Sequence, residues 1–109
     1  MEKVSFEYKG QKFDISARKC GFFSFGLMFR TRETEPCVFR FRGSTDFKIS
    51  SIFVGFPFLA VWFDKDGKVM QVKIVRPFTA SVLPRENYWT LLEIPLNRKY
   101  FSTVKNLLK

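Results

Sequence analysis

The chain has 109 residues, enough for one domain (residues 1–109) that buries about two-thirds of its unfolded surface. Nineteen Lys and Arg against ten Asp and Glu give a net charge of +9, and His is absent, which removes the commonest general base and the usual nitrogen ligand for a metal. The longest apolar run, Ile52 to Phe63, is broken by Gly55 and Pro57 and stopped by Asp64, short of the roughly 18 residues a membrane-spanning helix needs.

The first residues, MEKVSFEYKG, carry no apolar signal region, so a cytoplasmic location is expected. Cys20 and Cys37 are too few for a disulfide scaffold or a zinc site and are expected as buried free thiols, a hyperthermophile cytosol being the exception. Fifteen Phe residues predict a core filled by aromatic rings.

In chain order, Val4, Phe6 and Tyr8 alternate with polar residues, and after Gly10 so do Phe13, Ile15 and Ala17. This is a hairpin with one buried face, turning at Lys9-Gly10-Gln11. From Ala17 to Arg30 the aromatic spacing Phe22, Phe25, Phe29 fits one helical face and predicts a short buried helix. Thr31 to Pro36 reads as a polar loop. A strand follows in which Phe39 and Phe41 face one way and Arg40 and Arg42 the other, ending in a turn over residues 43–46.

Phe58 to Phe63 (FLAVWF) is six apolar residues long, as suits a central strand covered on both faces. Met70, Val72 and Ile74 alternate with Gln71 and Lys73, predicting a half-exposed partner strand nearer the surface. A two-residue Asp66-Gly67 turn would set Lys65 against Lys68. A three-residue loop with left-handed Gly67 closes Asp64 against Lys68 instead and is favoured. DKDG also resembles the start of a calcium loop, but the later ligands are missing.

Pro77 to Asn87, with two prolines, is a long connection, and Tyr88 to Ile94 is another strand. Tyr100, Phe101, Val104, Leu107 and Leu108 then form an apolar stripe, predicting a helix that starts near Asn97 and docks on the sheet.

Gly26-Leu27-Met28-Phe29-Arg30, the Phe39-x-Phe41 strand, Pro57, Phe63-Asp64-x-x-Gly67-x-Val69, Pro77-Phe78, Pro84 and Leu92-Glu93-x-Pro95 occur in an order that resembles the family called domain of unknown function number 192. The resemblance spans Ala17 to Pro95. It implies a compact, mostly β domain of sandwich or barrel type, in agreement with the strand count, and it implies no reaction or cofactor. Two features depart from the family: Leu59 stands where relatives carry Asp, and the terminal helix replaces a Gly-Asp pair. The fold expected is therefore an antiparallel β-sandwich or barrel-like domain with one short internal helix and a C-terminal amphipathic helix.

Three functional readings stay open. The first is a small non-catalytic binding or structural domain, needing no cofactor and no metal. The second is binding of nucleic acid or another polyanion by a basic face made of Arg30, Arg32, Arg40 and Arg42, extended by Lys73 and Arg76 if the strands adjoin. Against it stand a thermophile-like composition, poor in Gln, Asn and His, which explains many surface Lys and Arg residues, and the absence of any recognised RNA-binding motif. The third is an enzyme using carboxylates among Asp46, Asp64, Asp66, Glu86 and Glu93. Glu93 is the one acid within an apolar strand. Either it faces water beside a lysine, or it is buried and paired, with Arg30 as the candidate partner.

Overall fold

The computed structural model of the chain describes residues 1–20, 27, 30–45, 54–79, 84 and 86–109. Its strands are β1 (Glu2–Tyr8), β2 (Gln11–Cys20), β3 (Cys37–Thr45), β4 (Phe58–Phe63), β5 (Val69–Val75) and β6 (Tyr88–Pro95), followed by the helix α1 (Phe101–Leu107). They form one sheet in the order β1-β2-β3-β6-β4-β5. The domain is mostly β, and the barrel-like form of the expected fold is the one realised: the sheet curls into a half-barrel. The curl brings Phe6 of β1 edge-on to Phe63 of β4, with ring centroids 5.0 Å apart.

β4 is the spine. It is hydrogen-bonded to β5 on one side and β6 on the other, and every residue in it is buried. Strand alternation sends its side chains into two cores. Leu59, Val61 and Phe63 enter the inner core with Val4, Phe6, Phe13, Ile15, Val38, Leu92 and Ile94. Phe58, Ala60 and Trp62 enter an outer core with Cys20, Leu27, Cys37, Val54, Phe56, Tyr88 and Leu91.

Both hairpins form. In β4–β5, Gly67 has φ +77°, the Asp64 N–H donates to the Lys68 carbonyl at 2.9 Å, and Asp64 Oδ1 accepts from the N–H groups of Asp66 and Lys68. This is the three-residue loop with Asp64 facing Lys68. The register shift that accompanies it, beside Phe63, carries Met70 to the outer core while Val72 and Ile74 stay with the inner one. The three therefore do not share a face. In β1–β2 the loop is shorter than expected: Tyr8 pairs with Gln11, and Lys9 and Gly10 both have positive φ.

Several expectations are corrected. The sheet is mixed, because β2 and β3 run parallel. A parallel pair needs a crossover of a dozen or more residues, which residues 21–36 supply. Ala17 to Cys20, assigned to the internal helix, continue β2. The rest of that helix, apart from Leu27 and Arg30, lies outside the described residues. Gly43, Ser44 and Thr45 extend β3 where a turn was expected.

The C-terminal helix starts at Phe101, not near Asn97. Asn97 is held by the β2–β3 connection: its Nδ2 donates to the Arg32 carbonyl at 2.8 Å, and its Oδ1 accepts from the Tyr100 N–H, which closes a turn before the helix. Val104 and Leu107 are buried in the inner core, with Tyr100 packed against it. Phe101 and Leu108 lie off that stripe and are 66% and 48% exposed.

The cysteines are paired. Cys20 and Cys37 form a disulfide between β2 and β3, with Cα atoms 6.1 Å apart. The free-thiol expectation fails because the parallel pairing sets Cys20 beside Phe39, two residues from Cys37 and on the same face.

Truncation should separate interior from surface rings. Phe63→Ala should lower the unfolding free energy by about 3–5 kcal/mol, whereas Phe101→Ala should change it by less than about 0.5 kcal/mol, as read by urea denaturation.

Candidate functional site: a basic rim and a buried acid

The six basic residues singled out in the sequence do not form one patch. Arg40 and Arg42 are exposed on β3, on the side shared with Val38, and Phe39 and Phe41 pack into the outer core as the alternation requires. Lys73 pairs with Ala60, whose side chain faces the outer core, so it points to the opposite side of the sheet. β6 and β4 also lie between β3 and β5. Lys73 therefore cannot extend the Arg40 and Arg42 face. Arg76, just past β5, is likewise separated from β3 by two strands and is exposed.

A residue not singled out joins Arg40 and Arg42. Lys19 is exposed on β2, pairs with Val38 and shares its side of the sheet. The basic rim is thus Lys19, Arg40 and Arg42, with Glu2 of β1 ion-paired to Arg40. An exposed pair of this kind contributes at most about 1 kcal/mol and yields readily to a competing anion.

Arg30 and Arg32 are exposed on the β2–β3 connection. The expected ion pair between Arg30 and Glu93 is not formed. Arg30 Nη1 lies 4.0 Å from Glu35, whose carboxylate is 3.3 Å from Arg18 Nε.

Glu93 is buried, settling the two dispositions in favour of the interior. It faces Cys37 on β3 and Ala60 on β4. Cys37 in turn faces Arg18 on β2, and Ala60 faces Lys73 on β5. Directly paired residues point to one face of a pleated sheet, so Arg18, Cys37, Glu93, Ala60 and Lys73 make a single row across five strands on the outer face. Burial pushes the Glu93 carboxyl up to about 8, with the Arg18 charge pulling the other way. Arg18 is held below its usual range first by burial and then by Arg30, and it is opposed by Glu35 and Glu93. It stays protonated, as arginine does in proteins.

Burial thus favours the neutral form of Glu93 at neutral pH. Two of the remaining carboxylates are occupied locally: Asp14 accepts from the Ser5 hydroxyl, and Asp64 caps its turn. Among the described residues no group of His, Cys, Asp and Glu is placed to hold a metal ion, and no helix is long and apolar enough to cross a membrane.

No family model and no curated protein matches the chain. Two solved structures are similar to it. One, a protein of unknown function from Novosphingobium aromaticivorans DSM 12444, has 16% identity and a TM-score of 0.76, the match covering 92% of this chain and 76% of that one. The other, described as a "putative transcription regulator" from Sinorhizobium meliloti 1021, has 20% identity and a TM-score of 0.76, covering 94% and 81%. At such identities the likeness is one of fold.

The raised Glu93 value has a sign that can be tested. Below its ordinary value of 4.5 both folded and unfolded chains carry the proton, and its ionisation has no effect on stability. Between 4.5 and about 8 the unfolded chain releases the proton while the folded one keeps it, so stability falls as pH rises and levels off above that window. Glu93→Gln should flatten this slope and be more stable than the parent at pH 9 by on the order of a few kcal/mol, with little difference at pH 4. Parallel stability curves for the two proteins in urea titrations across this range would contradict the assignment.

Proposed function

We propose that this domain is a non-catalytic binding module whose rim of Lys19, Arg40 and Arg42 associates with a polyanion, nucleic acid being the class it fits best. The observation that carries the reading is the exposure of these three cations on one side of β2 and β3 with Glu2 as the carboxylate paired there. The positive excess of the whole chain would draw a polyanion toward that side over long range. Phe39 and Phe41 are packed inward and supply no stacking platform, so recognition would be of the phosphate backbone and insensitive to base sequence. The description of the Sinorhizobium neighbour is in keeping with a nucleic-acid partner.

The chain reads best as a divergent member of the family it resembles. Leu59, at the position where relatives carry Asp, is fully buried between Ile74 and Ile94, so that place serves packing here. This supports a binding role over catalysis. The domain would work in the cytoplasm of a thermophile, an intracellular setting in which disulfides are common, and the scarcity of Gln, Asn and His supports that placement.

Titration with labelled single-stranded RNA and with heparin at several salt concentrations should give affinity that falls steeply as salt rises, each phosphate contact adding about 0.7 to the logarithmic slope for single strands. Joint reversal, Arg40→Glu with Arg42→Glu, should weaken binding about tenfold or more and flatten the slope. Lys73→Glu, on the other side, should have a smaller effect. No binding at low salt, or equal effects of the two reversals, would sink the proposal.

A further inference from the structure

We propose that the Cys20–Cys37 disulfide is a thiol-exchange site for a small dithiol, in which Glu93, on the strand facing Cys37, passes a proton to and from the Cys37 sulfur. The two cysteines differ in access: Cys20 retains 6% exposure and Cys37 none. Both are buried and Cys20 is the less enclosed, so on this proposal the incoming thiolate attacks Cys20 and Cys37 is the leaving group. It leaves into the buried outer core that it shares with Ala60, Phe58, Leu91 and Leu27, where a thiolate is costly and only Arg18, opposite it on β2, offsets the charge.

Glu93 stands directly opposite Cys37 on β6, on the same face of the sheet. Such a pair has Cβ atoms about 4.5–5.5 Å apart, within reach of a glutamate side chain. Because burial keeps the carboxyl protonated at neutral pH, it is a proton donor where the leaving sulfur needs one. The charged groups facing it are Arg18 from β2 and, beyond Ala60, Lys73 from β5, while Glu35 and Arg30 act on Arg18. Arg18 favours the carboxylate that remains after proton transfer. A purely structural disulfide has no use for an acid beside it, and a buried carboxyl that serves only packing is a liability an apolar residue would remove.

The exchange balances as follows. One thiolate of the dithiol attacks Cys20 Sγ. The Cys20–Cys37 bond breaks, a mixed disulfide forms on Cys20, and the electron pair leaves with Cys37, which takes the proton of Glu93. The second thiolate of the dithiol then attacks the mixed disulfide. Cys20 is released as a thiolate and takes a proton from solvent, as does the Glu93 carboxylate. The protein disulfide is reduced by two electrons and the dithiol is oxidised to its disulfide. In reverse, the Glu93 carboxylate removes the proton from Cys37.

The test is reduction of the folded, oxidised protein by dithiothreitol, with alkylation and mass measurement to count released thiols. The rate should rise linearly with dithiothreitol. Corrected for the reagent's thiolate fraction, it should fall as pH passes through about 8, where Glu93 loses its proton. Glu93→Gln should react on the order of tenfold to a hundredfold more slowly at pH 7 and lack that inflection. A rate that saturates at the global unfolding rate would overturn the proposal, as would a Glu93→Gln protein that follows the parent in rate and pH profile. If that variant does not fold, the concentration dependence and pH inflection of the parent protein decide the matter.

Discussion

Burial of β4 on both faces is the constraint from which the rest of the molecule follows. A strand whose six residues are all apolar cannot lie at an edge or present a face to water, so it must have a strand on each side and a hydrophobic layer above and below. The neighbours are β5, tied to it by a short loop, and β6, which returns after a long connection. The inner layer is made by the β1–β2 hairpin as the sheet curls, together with Val104 and Leu107 of α1. The outer layer uses aromatic rings, with Tyr88 meeting Phe41 and Trp62 edge-on at centroid distances of 5.6 and 6.4 Å. With both sides of β4 committed to packing, polar chemistry among the described residues is displaced mainly to the rim and to the row that crosses the sheet at Ala60.

That row explains how an acid survives in an apolar strand. Ionised and alone, Glu93 would be costly to bury. Two features offset this: the carboxyl keeps its proton at neutral pH, and the Arg18 charge stands one strand further on, past Cys37. Arg18 is itself anchored by Glu35 on the β2–β3 connection, which leaves Arg30 at the outside of the cluster and exposed. The charges are thus graded from a neutral acid in the interior to a solvated guanidinium at the surface.

Much of the fold was legible in local pattern, since both hairpins, the central strand and the terminal helix are encoded by periodicity and turn residues over short stretches. The Asp64–Lys68 loop could be read from the repulsion that the alternative would impose. Non-local pairing was not legible. Nothing in the spacing of Cys20 and Cys37 says that their strands run parallel and adjacent, and so the disulfide was missed. The charge that bears on Glu93 was missed for the same reason: Arg18 lies far from it in sequence and reaches its row only through the β2–β3 register. For the basic face, alternation correctly placed Arg40 and Arg42 together. Strand order, which alternation does not encode, is what excluded Lys73 and brought in Lys19. The helix start was misplaced because Asn97, tied to the Arg32 carbonyl, closes a separate turn with Tyr100 before the helix begins.

The two proposed activities meet at one seam. β2 and β3 are paired over only a short stretch, Arg18 with Cys37, Lys19 with Val38 and Cys20 with Phe39, and this seam holds the β1–β2 hairpin to the rest of the sheet. A disulfide closing a loop of this length stabilises by about 3 kcal/mol, comparable to what the few strand hydrogen bonds of so short a seam supply. The same seam sets Lys19 beside the strand that carries Arg40 and Arg42, and Glu2, the partner of Arg40, sits on the far strand of that hairpin. On the two proposals, opening the disulfide would loosen the hairpin and with it the spacing of the basic rim. Thiol exchange on the outer face would thereby reach polyanion binding at the rim through the β2–β3 register.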